Sequence, residues 1–137
     1  MSFPRPSEPP VAQPYWQGLE RGVLLYQRCR HCGEAWLPAR DACPHCLSPD
    51  HEWQQSAGRG KVISWIVYHT AYDEAFKDRV PYDVTLVELE EGPRLLTNVV
   101  DSDSGRKLAI GAPVMLKIEQ EGDLALARFR LGENPVG

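Results

Sequence analysis

The sequence lacks a long apolar run, an excess of positive charge and any cysteine outside one short segment. No stretch approaches the roughly 18 uninterrupted apolar residues of a membrane span, so no membrane association is expected. Residues 1–14 contain no apolar run of the kind found in signal peptides, and the cytoplasm is therefore the expected location.

Positive charge is spread thinly along the chain. Residues 1–60 hold six Lys/Arg and six Asp/Glu, whereas residues 61–137 hold nine and thirteen, so the net charge of −4 belongs to the second part. Proteins that neutralise nucleic-acid phosphates usually concentrate Lys and Arg on one surface. The charge distribution therefore argues against nonspecific binding to DNA or RNA.

The four cysteines form two C-x-x-C pairs that are separated by ten residues. They are Cys29, Cys32, Cys43 and Cys46. Each pair can direct two thiolates at one point, so together they supply the four tetrahedral ligands that zinc prefers. Four thiolates leave no open position for water or substrate, which predicts a structural zinc ion. His31 and His45 lie inside the pairs and could each replace a thiolate, but exposed side chains are the preferred interpretation.

Three other interpretations of the cysteines are disulfides, a redox-active pair and an iron site, and each requires different conditions. Disulfides need an oxidising compartment, which the N-terminal sequence does not indicate. A redox-active C-x-x-C pair would need no second pair close by. Iron suits the same four-thiolate geometry and would fit an electron carrier, so metal analysis has to distinguish iron from zinc.

The N-terminal part divides into a lead and a short helix. Residues 1–13 are rich in proline, which predicts an extended or disordered lead. Residues 14–21 are predicted to form an amphipathic helix, because apolar side chains recur at helical spacing and Gly22 can end it. Tyr15, Trp16 and Leu19 of this helix either face a partner protein or anchor the helix on the rest of the chain.

The remaining pattern predicts a mainly β protein of two modules. Residues 14–57 contain the helix and a four-cysteine zinc ribbon, in which residues 35–37 pair back on residues 23–28. Residues 56–60 form the joint, and residues 58–137 form a barrel with a short C-terminal tail. The five predicted strands of the barrel are 62–69, 82–89, 94–100, 111–118 and 124–131. This pattern is compatible with an OB-like barrel, another small barrel or a sandwich.

Several short motifs follow one another in an order that characterises a known family. They are the helix with Trp16, Cys29-Arg30-His31-Cys32-Gly33, Cys43-Pro44-His45-Cys46, Gly58-Arg59-Gly60-Lys61-Val62, Pro81-Tyr82 and Ile110-Gly111-Ala112-Pro113-Val114. In this combination, residues 14–131 resemble the acyl-CoA-associated zinc-ribbon/OB-fold proteins. The chain departs from the family pattern at Leu47, where many members have glycine, and this departure concerns the turn and not the metal ligands.

The resemblance implies both a fold and a function. The fold is a short N-terminal helix, a rubredoxin-like zinc ribbon and a five-stranded OB-fold barrel. The function is that of a non-catalytic accessory subunit of an acyl-CoA enzyme, with thiolases, a hydroxymethylglutaryl-CoA synthase, enoyl-CoA hydratases and aldolases as partners in a hetero-oligomer. Some members are implied to help bind CoA or the acyl chain.

A catalytic role for the chain alone has one candidate. His69 ends the first predicted barrel strand, and Asp73, Glu74 and Asp83 lie nearby in sequence, so a histidine and a carboxylate could form a general base. The preferred interpretation is a histidine at a strand end beside a solvated acidic loop. No serine or cysteine nucleophile stands in a recognisable setting, so no catalytic residue is predicted.

Candidate ligand contacts lie in the loop before the second barrel strand and at the joint. Aromatic and cationic side chains at these places could hold an acyl chain or a CoA phosphate. These residues are Arg59, Lys61, Tyr72, Phe76, Arg79 and Tyr82. The alternative is that the loop aromatics cap the mouth of the barrel, and the sequence leaves both interpretations open.

The sequence thus predicts a zinc-containing accessory subunit that joins an acyl-CoA enzyme and helps bind or shield its substrate, with acyl-CoA itself as a possible ligand. The alternative from another class is a nucleic-acid-binding zinc-ribbon/OB module. Zinc ribbons and OB barrels both serve that role, but the acidic second part of the chain opposes it.

Overall fold

The computed structural model describes residues 10–69 and 81–132. A 3₁₀ turn, Pro10–Ala12, leads directly into helix α1, Gln13–Glu20. Pro14 occupies the first turn, where its missing N–H costs nothing. Gly22, with φ of +86°, ends the helix by donating its N–H to the Leu19 carbonyl. Helical structure thus begins before the predicted residue 14, and residues 1–9 of the predicted lead lie outside the described part of the chain.

The ribbon is a small antiparallel sheet with strand order β2-β1-β3. Its strands are β1 (Leu25–Cys29), β2 (Ala35–Trp36) and β3 (His51–Gln55). Gln27 of β1 is fully buried, and its side-chain amide makes two 2.8 Å hydrogen bonds with the backbone of Arg40. These bonds tie the segment between the two cysteine pairs to the sheet.

The barrel is a nearly closed antiparallel sheet with strand order β6-β5-β4-β7-β8. Its strands are β4 (Arg59–Tyr68), β5 (Tyr82–Leu89), β6 (Arg94–Thr97), β7 (Pro113–Glu121) and β8 (Leu124–Leu131). A parallel bridge between Val99 and Phe129 joins the two ends of the sheet. The mainly β fold with a five-stranded OB-type barrel is therefore confirmed.

Three of the five predicted barrel strands differ in their bounds. Strand β7 runs from Pro113 to Glu121 and not over 111–118, and β4 and β6 differ for physical reasons. Strand β4 begins at Arg59, so that Gly60 lies inside the strand and not in a joint. A Cβ at Gly60 would lie 2.6 Å from the Glu88 carbonyl oxygen, which shows that glycine permits close strand packing here. Strand β6 ends at Thr97, because the chain then crosses to bridge Phe129 at Val99.

One hydrophobic core unites the barrel with helix α1. Leu19 and Leu24 are buried in the same cluster as the barrel residues Val62, Val87 and Phe129. The ribbon leaves this core after Leu24 and returns at Ser56, whose N–H donates to the Leu24 carbonyl at 2.8 Å. The helix packs on strand β8 of the barrel and also on strand β1 of the ribbon. Neither helical segment in the described ranges is long and apolar enough to cross a membrane.

Candidate metal centre and ligand cavity

The four cysteine sulfurs form one compact cluster. All Sγ atoms lie within 4.8 Å of one another, with 3.5 Å between Cys29 and Cys46 and 3.6 Å between Cys32 and Cys43. A tetrahedral site with zinc–sulfur bonds of about 2.3 Å has sulfur–sulfur edges of about 3.8 Å. The cysteines are free and much farther apart than a disulfide bond of about 2.05 Å. The donor set therefore fits a four-thiolate metal ion.

Backbone N–H groups surround one sulfur in each pair. Cys29 Sγ accepts hydrogen bonds from the N–H groups of His31 and Cys32 at 3.3 and 3.4 Å. Cys43 Sγ accepts the equivalent bonds from His45 and Cys46 at the same distances. The bond from Cys32 is the main reason that the pKa of the Cys29 thiol falls from 9.0 to about 6. The local backbone thus favours the thiolate that binds metal.

The side chains of His31 and His45 are exposed and do not belong to the cluster. Their backbone N–H groups contribute to the metal centre by donating hydrogen bonds to the cysteine sulfurs. The cluster contains four cysteines and no other candidate ligand from the described ranges. The geometry therefore agrees with the preferred interpretation of exposed histidine side chains.

Each of the two cysteine turns contains one residue in the left-handed region of backbone conformation. Gly33 has φ of +82° and Leu47 has φ of +67°, and the N–H groups of both donate to the carbonyl of the first cysteine of their pair. Leu47 therefore keeps the turn that glycine would make, although a side chain is strained in this conformation. Leu47 is 75% exposed, so its side chain gains little from burial.

We expect Gly33→Ala and Leu47→Gly to have opposite effects on the free energy of unfolding. Gly33→Ala should lower the free energy of unfolding by ~1 kcal/mol, because a Cβ meets no atom within 4 Å and adds only backbone strain. Leu47→Gly should raise it by up to ~1 kcal/mol, since relief of strain exceeds the added chain entropy. Melting temperatures of the metal-loaded variants should move apart by about 4 °C or more. A Leu47→Gly protein that melts lower than wild type would contradict this account.

The predicted ligand contacts fall in separate places. Arg59 and Lys61 are exposed on β4, and Lys61 Nζ lies 3.7 Å from Glu88 Oε1. Tyr82 stacks on Tyr68 with ring centroids 5.4 Å apart, at the start of β5. Tyr72, Phe76 and Arg79 lie outside the described residues.

Tyr82 lines a cavity of about 300 Å³ beside the buried Asp83. The Asp83 carboxylate accepts hydrogen bonds from the Thr85 hydroxyl at 2.6 Å, the Val99 N–H at 2.9 Å and the Ser102 hydroxyl at 3.4 Å. His69 is exposed and makes no bond to this carboxylate. The hypothetical His69–Asp83 base is therefore not formed, whereas Asp73 and Glu74 lie outside the described ranges.

The predicted partner-facing residues of α1 divide between two environments. Leu19 is 1% exposed in the core, so its prediction as a partner contact is corrected: the amphipathic pattern identified a face that the barrel covers. Tyr15 and Trp16 are half-buried, and their rings meet edge to face at 5.1 Å. Both rings line a cavity of about 540 Å³.

This larger cavity lies where helix, ribbon and barrel meet. Leu37 of the ribbon forms a second wall, and Leu95 and Leu96 of β6 form a third. Burial raises the pKa of the Tyr15 phenol to about 12, so this wall also stays uncharged at pH values at which an exposed tyrosine ionises. The site is thus mainly apolar, as small-molecule sites usually are.

Among the described residues, one charged residue, Arg94, also lines the larger cavity. Its Nε donates to Glu88 Oε2 at 2.8 Å, and this bond is the main reason that the pKa of Glu88 is lowered. Sequence reasoning missed Arg94. Its position after the Pro93 turn, at the start of a short apolar strand, was the available signal.

Two family models together match most of the chain. Residues 16–52 match the model described as ChsH2, rubredoxin-like zinc ribbon domain, and residues 53–119 match ChsH2, C-terminal OB-fold domain. A DUF35 domain-containing scaffold protein of Methanocaldococcus jannaschii is 34% identical over 85% of this chain and 84% of its own length. The chain belongs to the DUF35 scaffold family.

Two further family members are named after acyl-CoA or aldolase enzymes. A probable enoyl-CoA hydratase alpha subunit of Thermomonospora curvata is 40% identical over 85% of this chain, which spans 36% of the length of that subunit. A solved structure titled Ltp2-ChsH2(DUF35) aldolase superposes with a TM-score of 0.82 and 38% identity, covering 93% of this chain and 98% of the other. The expected resemblance to the acyl-CoA-associated zinc-ribbon/OB-fold proteins is thus confirmed.

Proposed function

We propose that this chain is a non-catalytic accessory subunit that associates with an acyl-CoA-processing enzyme and helps bind or shield its substrate. The observation that carries the proposal is the likeness, over nearly the full length of both chains, to the DUF35 chain of the Ltp2-ChsH2 aldolase. The name of the hydratase alpha subunit supports the same class of partner. A hydratase, an aldolase or a thiolase is the expected partner.

The metal in this proposal is zinc, held by Cys29, Cys32, Cys43 and Cys46. When bound, zinc supplies a closed four-coordinate cross-link and no open position for substrate. The cysteines and their N–H donors hold the two turns together, and Trp36 packs against them in the ribbon cluster. Elemental analysis of the purified protein together with its visible absorption spectrum distinguishes zinc, which is colourless, from iron, which absorbs.

The test of the association is native co-purification. A tagged full-length chain, expressed at its natural level in the source cell, is expected to recover an acyl-CoA enzyme that mass spectrometry identifies. The same tag on an unrelated protein of similar charge serves as the control. Recovery of the chain by itself, or with only enzymes that act on other substrates, would contradict the proposal.

The alternative of a nucleic-acid-binding module has weaker support. Lys61 lies beside Glu88, and Lys117 lies 3.6 Å from Glu119, so carboxylates interrupt the positive surface of β4 and β7. Arg128 is similarly engaged by Glu119 and Glu121 at 2.8 and 2.7 Å. Phosphates would meet repulsion at these positions.

A further inference from the structure

We propose that Cys32 is a site of reversible oxidation by hydroperoxides, and that its oxidation opens the metal centre. The modification joins Cys32 to Cys43 by a disulfide bond and leaves two thiolates for the metal. The inference rests on the zinc of the proposed function, and it does not depend on which enzyme the chain joins. It adds a modification site to the structural role of the cysteine cluster.

The first support is the unequal burial of the four cysteines. Cys29 and Cys43 are 2% and 0% exposed, Cys46 is half-buried, and Cys32 is exposed. A peroxide molecule has to reach a sulfur atom before it can react, so the oxidation of thiolates follows exposure. Cys32 is therefore the cysteine of the cluster that a peroxide in the solvent meets first.

The second support is the unequal hydrogen bonding of the sulfurs. Cys29 Sγ and Cys43 Sγ each accept two backbone N–H bonds, at 3.3 and 3.4 Å. For Cys32 Sγ, the backbone donor among the described residues is the N–H of Glu34. Hydrogen bonds stabilise a thiolate and make it a weaker nucleophile. The Cys32 thiolate is therefore the more nucleophilic sulfur of the first pair.

The third support is a fixed positive charge at the turn that contains Cys32. Arg28 Nη1 donates to the carbonyl of Gly33, the residue after Cys32, at 2.7 Å. Its Nε donates to Gln54 Oε1 at 2.9 Å, and its guanidinium carbon lies 5.6 Å from the centre of the Tyr26 ring. These contacts hold the guanidinium in place. Reactive cysteines typically lie in partly exposed, electropositive surroundings of this kind, which also stabilise a departing hydroxide.

Cys43 supplies the second sulfur of the reaction, because its Sγ lies 3.6 Å from Cys32 Sγ. In the first step, the Cys32 thiolate attacks one oxygen of hydrogen peroxide and the O–O bond breaks, which gives a Cys32 sulfenic acid and hydroxide. In the second step, the Cys43 thiolate attacks the Cys32 sulfur and the S–O bond breaks, which gives the disulfide and a second hydroxide. The two thiolates together lose two electrons, and the peroxide gains them.

The disulfide removes two of the four metal ligands. Cys29 and Cys46 remain, with their sulfurs 3.5 Å apart, and two thiolates do not complete the four-coordinate shell of a structural zinc ion. The ribbon therefore loses its metal on oxidation. Exchange with an added dithiol reduces the disulfide and restores both ligands.

The test treats the purified full-length, zinc-loaded chain with hydrogen peroxide. A coloured chelator follows the release of zinc, and dimedone, which traps sulfenic acids, marks the cysteine that reacts first. Trypsin cleaves after Arg30 and Arg40, so mass spectrometry detects Cys32 on a different peptide from Cys29 and Cys43.

Dimedone is expected on Cys32 at a level at least about tenfold above that on each other cysteine. Without dimedone, a disulfide between Cys32 and Cys43 should form while about one zinc ion is released per chain. Dithiothreitol with added zinc should restore the metal content. Dimedone mainly on another cysteine, or a disulfide within one C-x-x-C pair, would overturn the assignment.

A matched pair of ligand variants locates the reacting sulfur. Cys32→His and Cys46→His each keep four candidate ligands, because zinc accepts histidine in place of a cysteine. Cys32→His should slow the release of zinc by peroxide about tenfold or more, whereas Cys46→His should not, since it keeps Cys32 and Cys43. Elemental analysis before treatment confirms that each variant contains zinc. Equal rates in the two loaded variants would contradict the proposal.

A second pair leaves all four cysteines in place and decides the question if a histidine variant does not hold zinc. Arg28→Gln should slow the reaction severalfold, because it removes the charge at the Cys32 turn. Arg30→Gln is the control, since the Arg30 side chain lies 3.2 Å from Asp50 and 3.8 Å from Glu52, whose carboxylates offset its charge. Equal slowing by both substitutions would count against a specific role of the Cys32 turn.

The outcome separates this inference from the proposed function. If the purified chain contains no zinc, the proposed metal is wrong and the oxidation site fails with it. If zinc is present and peroxide does not modify Cys32, the metal stands and the oxidation site is wrong. Co-purification of an acyl-CoA enzyme tests the association independently of both results.

Discussion

A Cys43→Ser variant is expected to lose the bound metal and the structure of the ribbon, while the barrel stays folded. Cys43 is fully buried, and a serine hydroxyl does not ionise at neutral pH to replace the thiolate. The ribbon cluster consists of Cys29, Trp36 and Cys43 with Cys46 packed against it, so the metal has to supply most of its stability. Structural zinc contributes about 10–16 kcal/mol in isolated zinc-finger peptides.

Metal content and hydrogen exchange measure these two effects separately. Elemental analysis should give one metal ion per wild-type chain and little in Cys43→Ser. Amide exchange should become fast in β1 to β3 and remain slow in β4, β5 and β8. His45→Ala is the control, because its exposed side chain is removed while the N–H that donates to Cys43 stays. Full metal occupancy in Cys43→Ser would show that three thiolates suffice.

Asp83→Ala is expected to lower the free energy of unfolding of the barrel by ~3–5 kcal/mol. The substitution leaves the Thr85 hydroxyl, the Val99 N–H and the Ser102 hydroxyl without their acceptor, and each unsatisfied buried donor costs ~1–3 kcal/mol. Asp83→Asn keeps one acceptor oxygen and should lose less. Urea denaturation, followed by far-UV circular dichroism, measures the difference.

Asp101→Ala provides the comparison for Asp83. The Asp101 carboxylate accepts one hydrogen bond, from the Leu131 N–H at 2.7 Å, and the residue is exposed. Water can replace that acceptor, so the expected loss is ~1 kcal/mol or less. If both alanine variants lose the same stability, the buried bonds at Asp83 do not organise the crossing between β6 and β8.

The elements that sequence predicted well are those with local signals. The spacing of Cys29, Cys32, Cys43 and Cys46 identifies the donor set. The two cysteines of each pair are three positions apart, so one tight turn brings their sulfurs together. The bounds of β5 and β8 match the predicted strands, since turn residues delimit both. The helix was found at nearly its observed length from its apolar spacing and Gly22.

The larger cavity could not be predicted, because its walls come from segments that are distant in sequence. Tyr15, Leu37 and Leu95 meet only after helix, ribbon and barrel have packed together. The same limit explains Leu19: a helical pattern shows which side chains share a face, but not which surface covers that face. Arg94 carries no motif of its own and gains significance only from the cavity beside it.

The hydrogen bond between Ser56 and Leu24 has an evolutionary consequence. The chain leaves the shared core at Leu24 to form the ribbon and returns to it at Ser56. The ribbon is therefore an insertion between two hydrogen-bonded residues. Longer or shorter turns and changed metal ligands can accumulate in such an inserted segment while the core sequence stays the same. Substitutions within residues 25–55 can therefore change the surface of the ribbon without redesign of the barrel.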